Sequence, residues 1–421
     1  MRVAHLLRKY NPAEWGGTET AIHRLFDGLR QHRVDSVVYA PKLERGPNVA
    51  DPLRAAGCEV KRFKAFVPIW GMPEAEKREL VSVGGNLMSL DLIGALLRQK
   101  EISMVHSHAL GRIGAIGWRA ARWHKAPFVV TIHGGLLDLP EKLKANIQQP
   151  IKGFDWGKIF GLLLHSRRLL DGADAIVTCN PREAALLQQK FPRKRIQVQA
   201  HGVVLELYQK DSRETALKIF PALRGRDILL CVGRIDTVKN QIWLLEQMPG
   251  LLQKHPNAML VLAGACTEEK YGKRIERRIA ELGLAERVLL TGGLPPGDSR
   301  LIGLFQQAAL LLLPSMSETF GLVLLEAWAA GTAVASSRTS GAKALIKEGE
   351  NGWLFDLERP EEFHRAVQQC LTDASLRKRF AANGSELVAT DYNTFALAGR
   401  MKRLYEDLIE EKHALRDSAR R

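Results

Sequence analysis

Short apolar runs alternate with longer amphipathic stretches along most of the chain. The runs are rich in Val, Ile and Leu and are continuous rather than alternating, which is typical of parallel strands buried on both faces. The longer stretches carry apolar residues at the spacing of one helix face. This order of strands and helices predicts an α/β fold with doubly wound parallel sheets.

The pattern predicts two successive series of strands with helices between them. The first series is Val3–Leu7, Ser36–Ala40, Met104–His108, Phe128–His133, Ala175–Cys179 and Ile196–Ala200. The second series is Ile228–Gly233, Met259–Ala263, Val288–Thr291, Leu310–Pro314 and Ala333–Ser336. The predicted helices include Gly17–Gln31, Asp91–Lys100, Ile113–Trp123, Trp156–Leu170, Arg182–Lys190, Gln241–Lys254, Tyr271–Leu282, Leu322–Ala330, Pro360–Leu371 and Leu376–Val388.

The series restarts near residue 225 after a polar connection, and we place the domain boundary near residue 205. The sequence therefore predicts two Rossmann-like domains, residues 1–205 and 206–394, facing each other across a cleft. Ligands of such sheets bind at the carboxyl ends of the strands, so the cleft is the expected site. A last amphipathic stretch, within residues 395–421, follows the second domain.

The charge of the chain is unevenly distributed. Its 421 residues include 61 lysines and arginines against 46 aspartates and glutamates, a net charge of +15. Residues 1–200 hold 31 of these basic side chains and only 18 of the acidic ones. A basic half suggests a nucleic acid, an anionic membrane surface or an anionic substrate as partner, and a solvated surface is the alternative.

Cysteine usage and hydropathy exclude several classes of protein. Five cysteines without a Cys-x-x-Cys pair argue against disulfides and structural zinc, and they favour the cytosol. No apolar run approaches the roughly 18 residues of a membrane span. Arg2 and Arg8 are too close together to leave the apolar stretch of a signal peptide between them.

The strongest candidate site is the segment Ser315–Ala327, where a strand ends, a polar turn follows and a helix begins near Phe320 and Gly321. Backbone N–H groups at a helix start can bind an oxyanion or a hydroxyl-rich ligand. Glu318 in the turn and Glu326 two helical turns later suit a polyol, because carboxylates accept hydrogen bonds from sugar hydroxyls. Taken singly, Glu318 is also explained by the helix dipole and Glu326 by a solvated helix face.

A second candidate, Cys231–Asn240, follows the first strand of the second domain. Gly233 allows a tight turn, and Arg234 and Lys239 add two cations that suit a diphosphate. The alternative is two surface cations in a loop. The sequence has no Asp-x-Asp pair to hold a divalent ion on a nucleotide-sugar, and the two cations make a metal unnecessary, so we predict no metal site.

A Gly-Gly pair follows the first strand, in the sequence Trp15-Gly16-Gly17-Thr18-Glu19. Such a pair at a helix start can cradle a phosphate or a reacting sugar. The alternative is a tight turn without a ligand.

A lone histidine, His133, stands at another strand end and is expected to face the cleft. A histidine in this position is more often structural than catalytic. His106 and His108 are two further histidines that compete for the same interpretation.

Together and in order, these segments resemble the family 4 glycosyltransferases (glycosyl transferases group 1), a retaining, nucleotide-sugar-dependent class with the GT-B fold. The resemblance covers nearly the whole chain. It rests on Glu318 and Glu326 with Thr319, Phe320, Gly321 and Leu322 between them, on Gly233, Arg234, Lys239 and Asn240, on Gly16, Gly17 and Glu19, on Thr131, His133 and Gly134, and on Leu262-Ala263-Gly264. One departure is His201-Gly202-Val203, where the family usually has Asn-Gly-Val.

The resemblance implies a role for each matched residue. Arg234 and Lys239 hold the diphosphate, Gly16 and Gly17 pack against it, Glu326 binds the ribose, Glu318 with Thr319, Phe320, Gly321 and Leu322 holds the donor sugar, and His133 lies beside the anomeric carbon. The family also implies front-face attack, in which the leaving phosphate takes the proton of the acceptor. Its final helix crosses back to the first domain.

The resemblance further implies a nucleotide-sugar co-substrate, with a UDP-sugar favoured over a GDP-sugar, and no other cofactor. Cell-envelope or exopolysaccharide synthesis is the expected setting, and the first domain would bind the acceptor. Within that domain, the segment Ile151–Arg168 mixes apolar and cationic side chains as an interfacial helix does. We therefore hypothesise a saccharide or lipid-linked acceptor at the inner face of the plasma membrane, with a core-packing helix as the alternative.

Three other functions stay open from the sequence, one of them a sugar-binding or structural protein that has lost catalysis, against which the full motif set argues. A GT-B nucleotide-sugar 2-epimerase shares the fold, although the paired carboxylates and cations argue for transfer. A nucleic-acid-binding protein would explain the basic first half, but no compact basic and aromatic motif is present, so we expect no nucleic-acid partner.

Overall fold

The computed structural model describes residues 1–12, 16–42, 51–138 and 154–418. Trp15 of the Gly-Gly motif and residues 151–153 of the proposed interfacial segment lie outside this range. The chain divides into two compact units, Met1–Ala200 with Thr394–Arg421 and His201–Asn393. The sequence-based boundary near residue 205 lies a few residues beyond this division.

The first unit is built on a seven-stranded sheet in the order β3-β2-β1-β5-β6-β8-β9, in which every neighbouring pair is parallel. Its strands are β1 Arg2–Leu6, β2 Asp35–Pro41, β3 Glu59–Phe63, β5 Met104–Ser107, β6 Phe128–Ile132, β8 Ala175–Thr178 and β9 Arg195–Val198. A separate antiparallel pair joins β4 Ile69–Trp70 to β7 Phe154–Asp155.

Helices cover both faces of this sheet. They are α1 Gly17–Gln31, α2 Pro52–Ala55, α3 Glu74–Val83, α4 Asp91–Arg98, α5 Gly111–His124, α6 Gly157–Leu163, α7 Leu169–Gly172, α8 Pro181–Lys190 and, from the C-terminal segment, α18 Thr394–Ser418. Successive strand residues point to opposite faces, as Met104 and Val105 show by packing into different cores.

The second unit repeats this architecture with a six-stranded parallel sheet in the order β12-β11-β10-β13-β14-β15. Its strands are β10 Asp227–Val232, β11 Ala258–Ala263, β12 Val288–Gly292, β13 Ala308–Leu313, β14 Val334–Ser337 and β15 Trp353–Phe355. Its helices are α9 Leu205–Gln209, α10 Arg213–Ile219, α11 Gln241–Lys254, α12 Glu269–Glu281, α13 Ser299–Gln307, α14 Leu322–Ala329, α15 Ser340–Leu345, α16 Pro360–Thr372 and α17 Ala374–Asp391.

Helix α18 is part of the first unit although it comes last in the chain. Its apolar face, including Ala398, Met401 and Leu404, is buried in the core that also contains Phe26 of α1. At Gly28 of α1 an added Cβ would lie 2.6 Å from the Ala398 Cβ, so only glycine lets the two helices approach this closely.

The predicted helix Trp156–Leu170 is wrong as a single element. It breaks after α6 at His165, which has a positive φ of 55°, and resumes through a 3₁₀ turn, Ser166–Arg168, into α7. A residue in the left-handed region ends an α-helix, because the hydrogen-bond ladder cannot pass through it.

No helix among the described residues is long and apolar enough to cross a membrane. The α/β fold class predicted from the sequence is confirmed, with both sheets parallel.

Candidate active site

The turn after β10 carries the predicted diphosphate motif. Gly233 there has a φ of +152°, and its N–H donates to the Ala263 carbonyl oxygen at 3.0 Å. A Cβ added at Gly264 would lie 1.9 Å from the Gly233 carbonyl oxygen. The Leu-Ala-Gly turn after β11 therefore needs glycine at position 264, because the two loops touch backbone to backbone.

Arg234 is held by a buried carboxylate that the sequence analysis did not single out. Its guanidinium pairs with Asp236 at 3.0 Å, and the Asp236 side chain is only 3% exposed whereas that of Arg234 is 52% exposed. The other Asp236 oxygen accepts from the Lys239 backbone N–H at 2.9 Å. Asp236 thus holds the Arg234 side chain and the Lys239 backbone in place. The sequence signal for this role was an acidic residue two positions after the arginine.

Lys239 and Glu318 form an ion pair between two motifs that are 79 residues apart in the chain. Their side chains are 19% and 20% exposed. The loops that carry them are tied by further bonds, from the Asn240 amide to the Pro314 carbonyl oxygen at 3.2 Å and from the Met316 N–H to the Val238 carbonyl oxygen at 2.8 Å. The structure therefore brings the two strongest sequence motifs together at one edge of the second sheet.

The turn from Glu318 to Gly321 is shaped by its contact with helix α15. The Glu318 carbonyl oxygen accepts from the Gly341 N–H at 2.8 Å, and a Cβ at position 341 would lie 2.6 Å from the Phe320 nitrogen. Gly321 has a φ of +94° and caps helix α14. Because Gly321 adopts this positive φ, helix α14 begins directly after the turn, and its first backbone N–H groups lie next to the turn.

The remaining residues of this motif are largely enclosed. Phe320 and Leu322 are buried, and the Phe320 ring packs edge-on against His201 with centroids 4.8 Å apart. Thr319 is half-buried. Glu326 is only 4% exposed, so the solvated helix face considered for it is wrong.

In the first unit, Gly16 and Gly17 open helix α1. Gly16 is its N-cap in extended conformation, and its N–H donates to the Glu19 carboxylate at 3.1 Å. A Cβ at position 16 would lie 2.9 Å from that carboxylate oxygen. The pair therefore has a structural reason in the cap, in addition to leaving the helix N-terminus accessible to an anion.

His133 directly follows β6 and is half-buried. Desolvation by burial and, secondly, the charge of Arg8 lower the pKa of its ring from 6.5 to about 4. The ring is therefore neutral at pH 7. Its Nε2 lies 2.8 Å from Nδ1 of His108, and its other ring nitrogen, Nδ1, is buried.

Three further histidines are brought together beside His133, and the sequence analysis did not predict their cluster. His5 and His106 are register partners on neighbouring strands, and ring nitrogens of His5, His106 and His108 lie within 4.8 Å of one another. All six ring nitrogens already have protein partners, which include Ser36, Thr131, Tyr405 and His133. These contacts describe a hydrogen-bond network rather than a metal centre.

The loop after His133 is held by a second residue that the sequence analysis missed, Glu183. Its fully buried carboxylate accepts from the backbone N–H groups of Leu136, Leu137 and Asp138, at 3.0, 3.0 and 2.7 Å. Glu183 lies in the first turn of α8, after the N-cap Asn180. A carboxylate in the first turn of a helix is already explained by the helix dipole, so nothing in the sequence indicated that Glu183 holds this loop.

Among the predicted site residues, Gly16, Gly17 and His133 belong to the first unit. Gly233, Arg234, Lys239, Glu318, Thr319, Phe320, Gly321, Leu322 and Glu326 belong to the second. In both units they lie at or just beyond the carboxyl ends of parallel strands, which is where α/β sheets bind ligands.

Family models match both units of the chain. The model described as "Glycosyl transferases group 1" matches residues 212–387, and "Glycosyl transferase 4-like domain" matches residues 16–202. The chain belongs to the group 1 glycosyltransferases. The enzyme class expected from the motifs is thereby confirmed.

Relatives and solved structures agree with this family. The D-inositol 3-phosphate glycosyltransferase of Corynebacterium glutamicum is 25% identical over 442 residues, which covers 98% of each chain. The sucrose-phosphate synthase of Thermosynechococcus elongatus superposes with a TM-score of 0.74 at 22% identity, covering 97% of this glycosyltransferase and 99% of that chain. Anabaena Alr3699/HepE superposes with a TM-score of 0.73 at 17% identity, covering 97% of this chain and 100% of the Anabaena chain. The fold is therefore GT-B.

Proposed function

We propose that this glycosyltransferase transfers a sugar from a UDP-sugar to a hydroxyl acceptor, with retention of configuration and without a metal. The observation that carries the proposal is the Lys239–Glu318 ion pair beside the Asp236-oriented Arg234. The cations of Arg234 and Lys239 suit a diphosphate, and the Glu318 carboxylate suits sugar hydroxyls.

Donor binding exchanges the partners of this pair. The diphosphate takes the Lys239 ammonium and the Arg234 guanidinium, and Glu318 is released to accept hydrogen bonds from the donor sugar. Glu326 accepts from the ribose hydroxyls, and the N–H groups at the start of α14 add to the contacts of the sugar. Gly16 and Gly17 pack against the diphosphate.

In the transfer step, the bond between the anomeric carbon and the phosphate oxygen breaks as the acceptor oxygen bonds to the same face of that carbon. The acceptor proton passes to the leaving phosphate, and Arg234 and Lys239 stabilise the charge that develops there. His133 contacts the donor sugar as a neutral ring. Because the leaving group accepts the proton, no side chain acts as a covalent nucleophile.

The uracil base is supported by the Anabaena neighbour, which was crystallised with UDP and with UDP-glucose. For the acceptor, the curated relatives act on D-inositol 3-phosphate, and an anionic cyclitol fits the basic first half of this chain. A saccharide or lipid-linked acceptor of cell-envelope synthesis is the other candidate.

Calorimetry with UDP, GDP, ADP and UDP-glucose in the absence of metal tests the donor site. Wild type is compared with Arg234→Ala and Glu326→Gln, and Arg224→Ala is the matched control because its exposed guanidinium pairs with Glu214 outside the site. We expect binding of the uridine nucleotides that both site variants lose and the control keeps. Absence of binding to all four by folded wild type would overturn the donor assignment.

Product analysis tests the reaction. UDP-glucose is incubated with and without D-inositol 3-phosphate, and the anomeric proton of the product is read by NMR. Transfer with an α-linkage supports retention, whereas an epimerised nucleotide-sugar formed without acceptor would support the epimerase instead.

An exposed apolar surface on the first unit supports a membrane-bound location. Around β7 and α6, the side chains of Phe154, Ile159, Leu162 and Leu163 are exposed, Leu162 by 77%. Exposed cations follow at Arg167 and Arg168. Apolar side chains interspersed with cations suit an anionic bilayer surface.

Flotation with vesicles of phosphatidylglycerol or phosphatidylcholine tests this location. We expect salt-sensitive binding to the anionic vesicles that the double variant Leu162→Gln/Leu163→Gln loses. Leu415→Gln is the control, since Leu415 is comparably exposed but lies elsewhere, at the end of α18. Equal flotation of the double variant and wild type would contradict the proposal.

A further inference from the structure

A continuous chain of hydrogen bonds runs from His133 into the core of the first unit. His133 Nε2 lies 2.8 Å from His108 Nδ1, His108 Nε2 lies 3.2 Å from His5 Nδ1, and His5 Nε2 lies 3.4 Å from the Ser36 hydroxyl oxygen. His108 and His5 use both of their ring nitrogens for this chain, and His133 uses one. His5 and Ser36 are buried on β1 and β2, so the inner end has no access to water.

The rings at the two ends of this histidine chain are neutral at pH 7. Burial lowers the pKa of His5 well below 6.5, and the pKa of His133 is about 4. A neutral imidazole has one N–H donor and one lone-pair acceptor. When His108 is neutral as well, every N–H in the row points in the same direction, either inward to Ser36 or outward to His133.

We propose that His108 and His5 are positioning residues, which hold the His133 ring in one orientation and one tautomer through this chain. The proposal rests on the proposed function in one respect, the contact of His133 with the donor sugar. If the protons point inward, His133 Nδ1 carries a lone pair, and if they point outward it carries an N–H. The Ser36 hydroxyl fits both orders because it can accept or donate.

The packing of the rings supports a built arrangement. The His108 ring stacks on His133 with centroids 5.0 Å apart, and it packs at a tilt against His106 with centroids 4.2 Å apart. His106 is itself held at both nitrogens, by Thr131 and Tyr405 at 2.6 Å each. His108 therefore packs against the held ring of His106, and its two nitrogens have defined neighbours.

Substitution at position 108 separates the two hydrogen bonds of that ring. The asparagine amide occupies the place of a histidine Nδ1, so His108→Asn keeps a partner for His133 and loses the one for His5. The glutamine amide occupies the place of Nε2, so His108→Gln keeps the partner for His5 and leaves His133 without one. Packing is disturbed in both variants, which makes them a matched pair.

The experiment uses the full chain labelled with ¹⁵N-histidine. In wild type, NMR couplings across the N–H···N bonds should connect His133 to His108 and His108 to His5. The two His133 nitrogens should show one tautomer in wild type and averaged signals in both variants, in His108→Asn because the amide, once cut off from His5, can turn to accept from His133 or to donate to it. His124→Gln, whose ring bonds to the Leu96 carbonyl oxygen, is the control and should leave the His133 signals unchanged.

The inner end of the chain is tested with His5→Phe, which retains the aromatic contact with Phe26. His108 Nε2 then loses its ring partner, and buried N–H groups without an acceptor are rarer in proteins than buried acceptors without a donor. His108 should carry its proton on Nδ1 and donate to His133 Nε2, which forces the His133 proton onto Nδ1. A His133 proton on Nε2 in this variant would overturn the proposal.

Missing couplings in folded wild type, or an unchanged His133 tautomer in His108→Gln, would also overturn it. The readout needs no substrate, and thermal denaturation verifies that each variant is folded. Failure of the chain is therefore separate from failure of nucleotide binding, which would remove the donor proposal and leave the ring couplings intact.

Discussion

The two units share a parallel α/β construction but use different chemistry at the carboxyl ends of their strands. The second unit gathers charges, with Arg234 on Asp236 and Lys239 on Glu318. The first unit gathers neutral rings, with His133 bonded to His108. The difference teaches that the fold fixes where a ligand binds, whereas the side chains decide which part of it is recognised: charges suit a diphosphate, and neutral donors and acceptors suit a sugar.

The largest effect is expected from removing the charge pair of the second unit. Lys239→Met removes a cation from the proposed diphosphate site and leaves the Glu318 carboxylate without its ammonium partner. We expect kcat/KM to fall about a hundredfold to a thousandfold, as for loss of one electrostatic donor in an active site. Steady-state kinetics measures this, with Lys273→Met as the control because that exposed lysine pairs with Glu269 on the surface of α12. A loss below tenfold would contradict a charge-based site.

The second largest effect concerns the backbone that carries those charges. Gly264→Ala would place a Cβ 1.9 Å from the Gly233 carbonyl oxygen, so one of the two loops must move. We expect a loss of about 1–3 kcal/mol in the free energy of unfolding, measured by denaturant titration, together with weaker UDP binding.

Gly250→Ala is the matched control for that change. Its Cβ would meet only the His364 ring edge, at an ordinary 3.5 Å, and the position lies inside helix α11. Because alanine is favoured over glycine within a helix, this variant should be as stable as wild type or more so. Equal stability of both variants would remove the role given to the loop contact.

A smaller effect should follow from Asp236→Asn. The amide oxygen can still accept from the Lys239 N–H, but the variant loses the charge that orients Arg234. Since a hydrogen bond to a charged group is worth about 1.5–3 kcal/mol, and Arg234 is half exposed, we expect about tenfold weaker UDP binding by calorimetry. Unchanged UDP affinity would show that UDP binding does not depend on the orientation of Arg234 by Asp236.

The smallest effect tests the neutrality of the first unit. The charge of Arg8 contributes to lowering the pKa of His133 to about 4, so Arg8→Gln should raise that pKa towards 6.5. An NMR titration of the His133 ring measures it, with Arg98→Gln as control. An unchanged or lower pKa would show that burial alone keeps the ring neutral.

The same shift predicts how stability depends on pH. The folded-state pKa of His133 lies below the unfolded value of 6.5, so the neutral ring contributes stability above pH 6.5 that is lost as the pH falls from 6.5 towards 4. The lowered pKa of the buried His5 and His106 adds to this acid sensitivity. Denaturant titrations at pH 7.5 and 5 should show the loss, and greater stability at pH 5 would contradict it.

Each strand that sequence analysis predicted has a counterpart in a sheet, including the edge strands β9 and β12. It missed β3, which carries charged residues, the three-residue β15, and the two-residue strands β4 and β7. Apolar runs of about four to eight residues are the signal of a buried strand, so strands that are charged or very short carry too little of that signal to be recognised.

The candidate site shows the same limit. Motifs local in sequence, such as Gly233 with Arg234 or Glu318 with Gly321, were recognised. Contacts made by the fold were not: Glu183 reaches a loop about 46 residues earlier, and His5 meets His108 across 103 residues. Single-sequence spacing carries no signal for such pairs, because the register of parallel strands brings them together.

The position of α18 has a consequence for synthesis on the ribosome. The first unit spans Met1–Ala200, yet its core stays open beside Phe26 until Met401 and Leu404 have been translated. At about 5–20 residues per second, some 200 further residues take roughly 10–40 s. During that interval His106 also lacks its hydrogen-bond partner Tyr405. A prematurely terminated chain would therefore display an apolar groove, marking it for chaperones or proteases as unfinished.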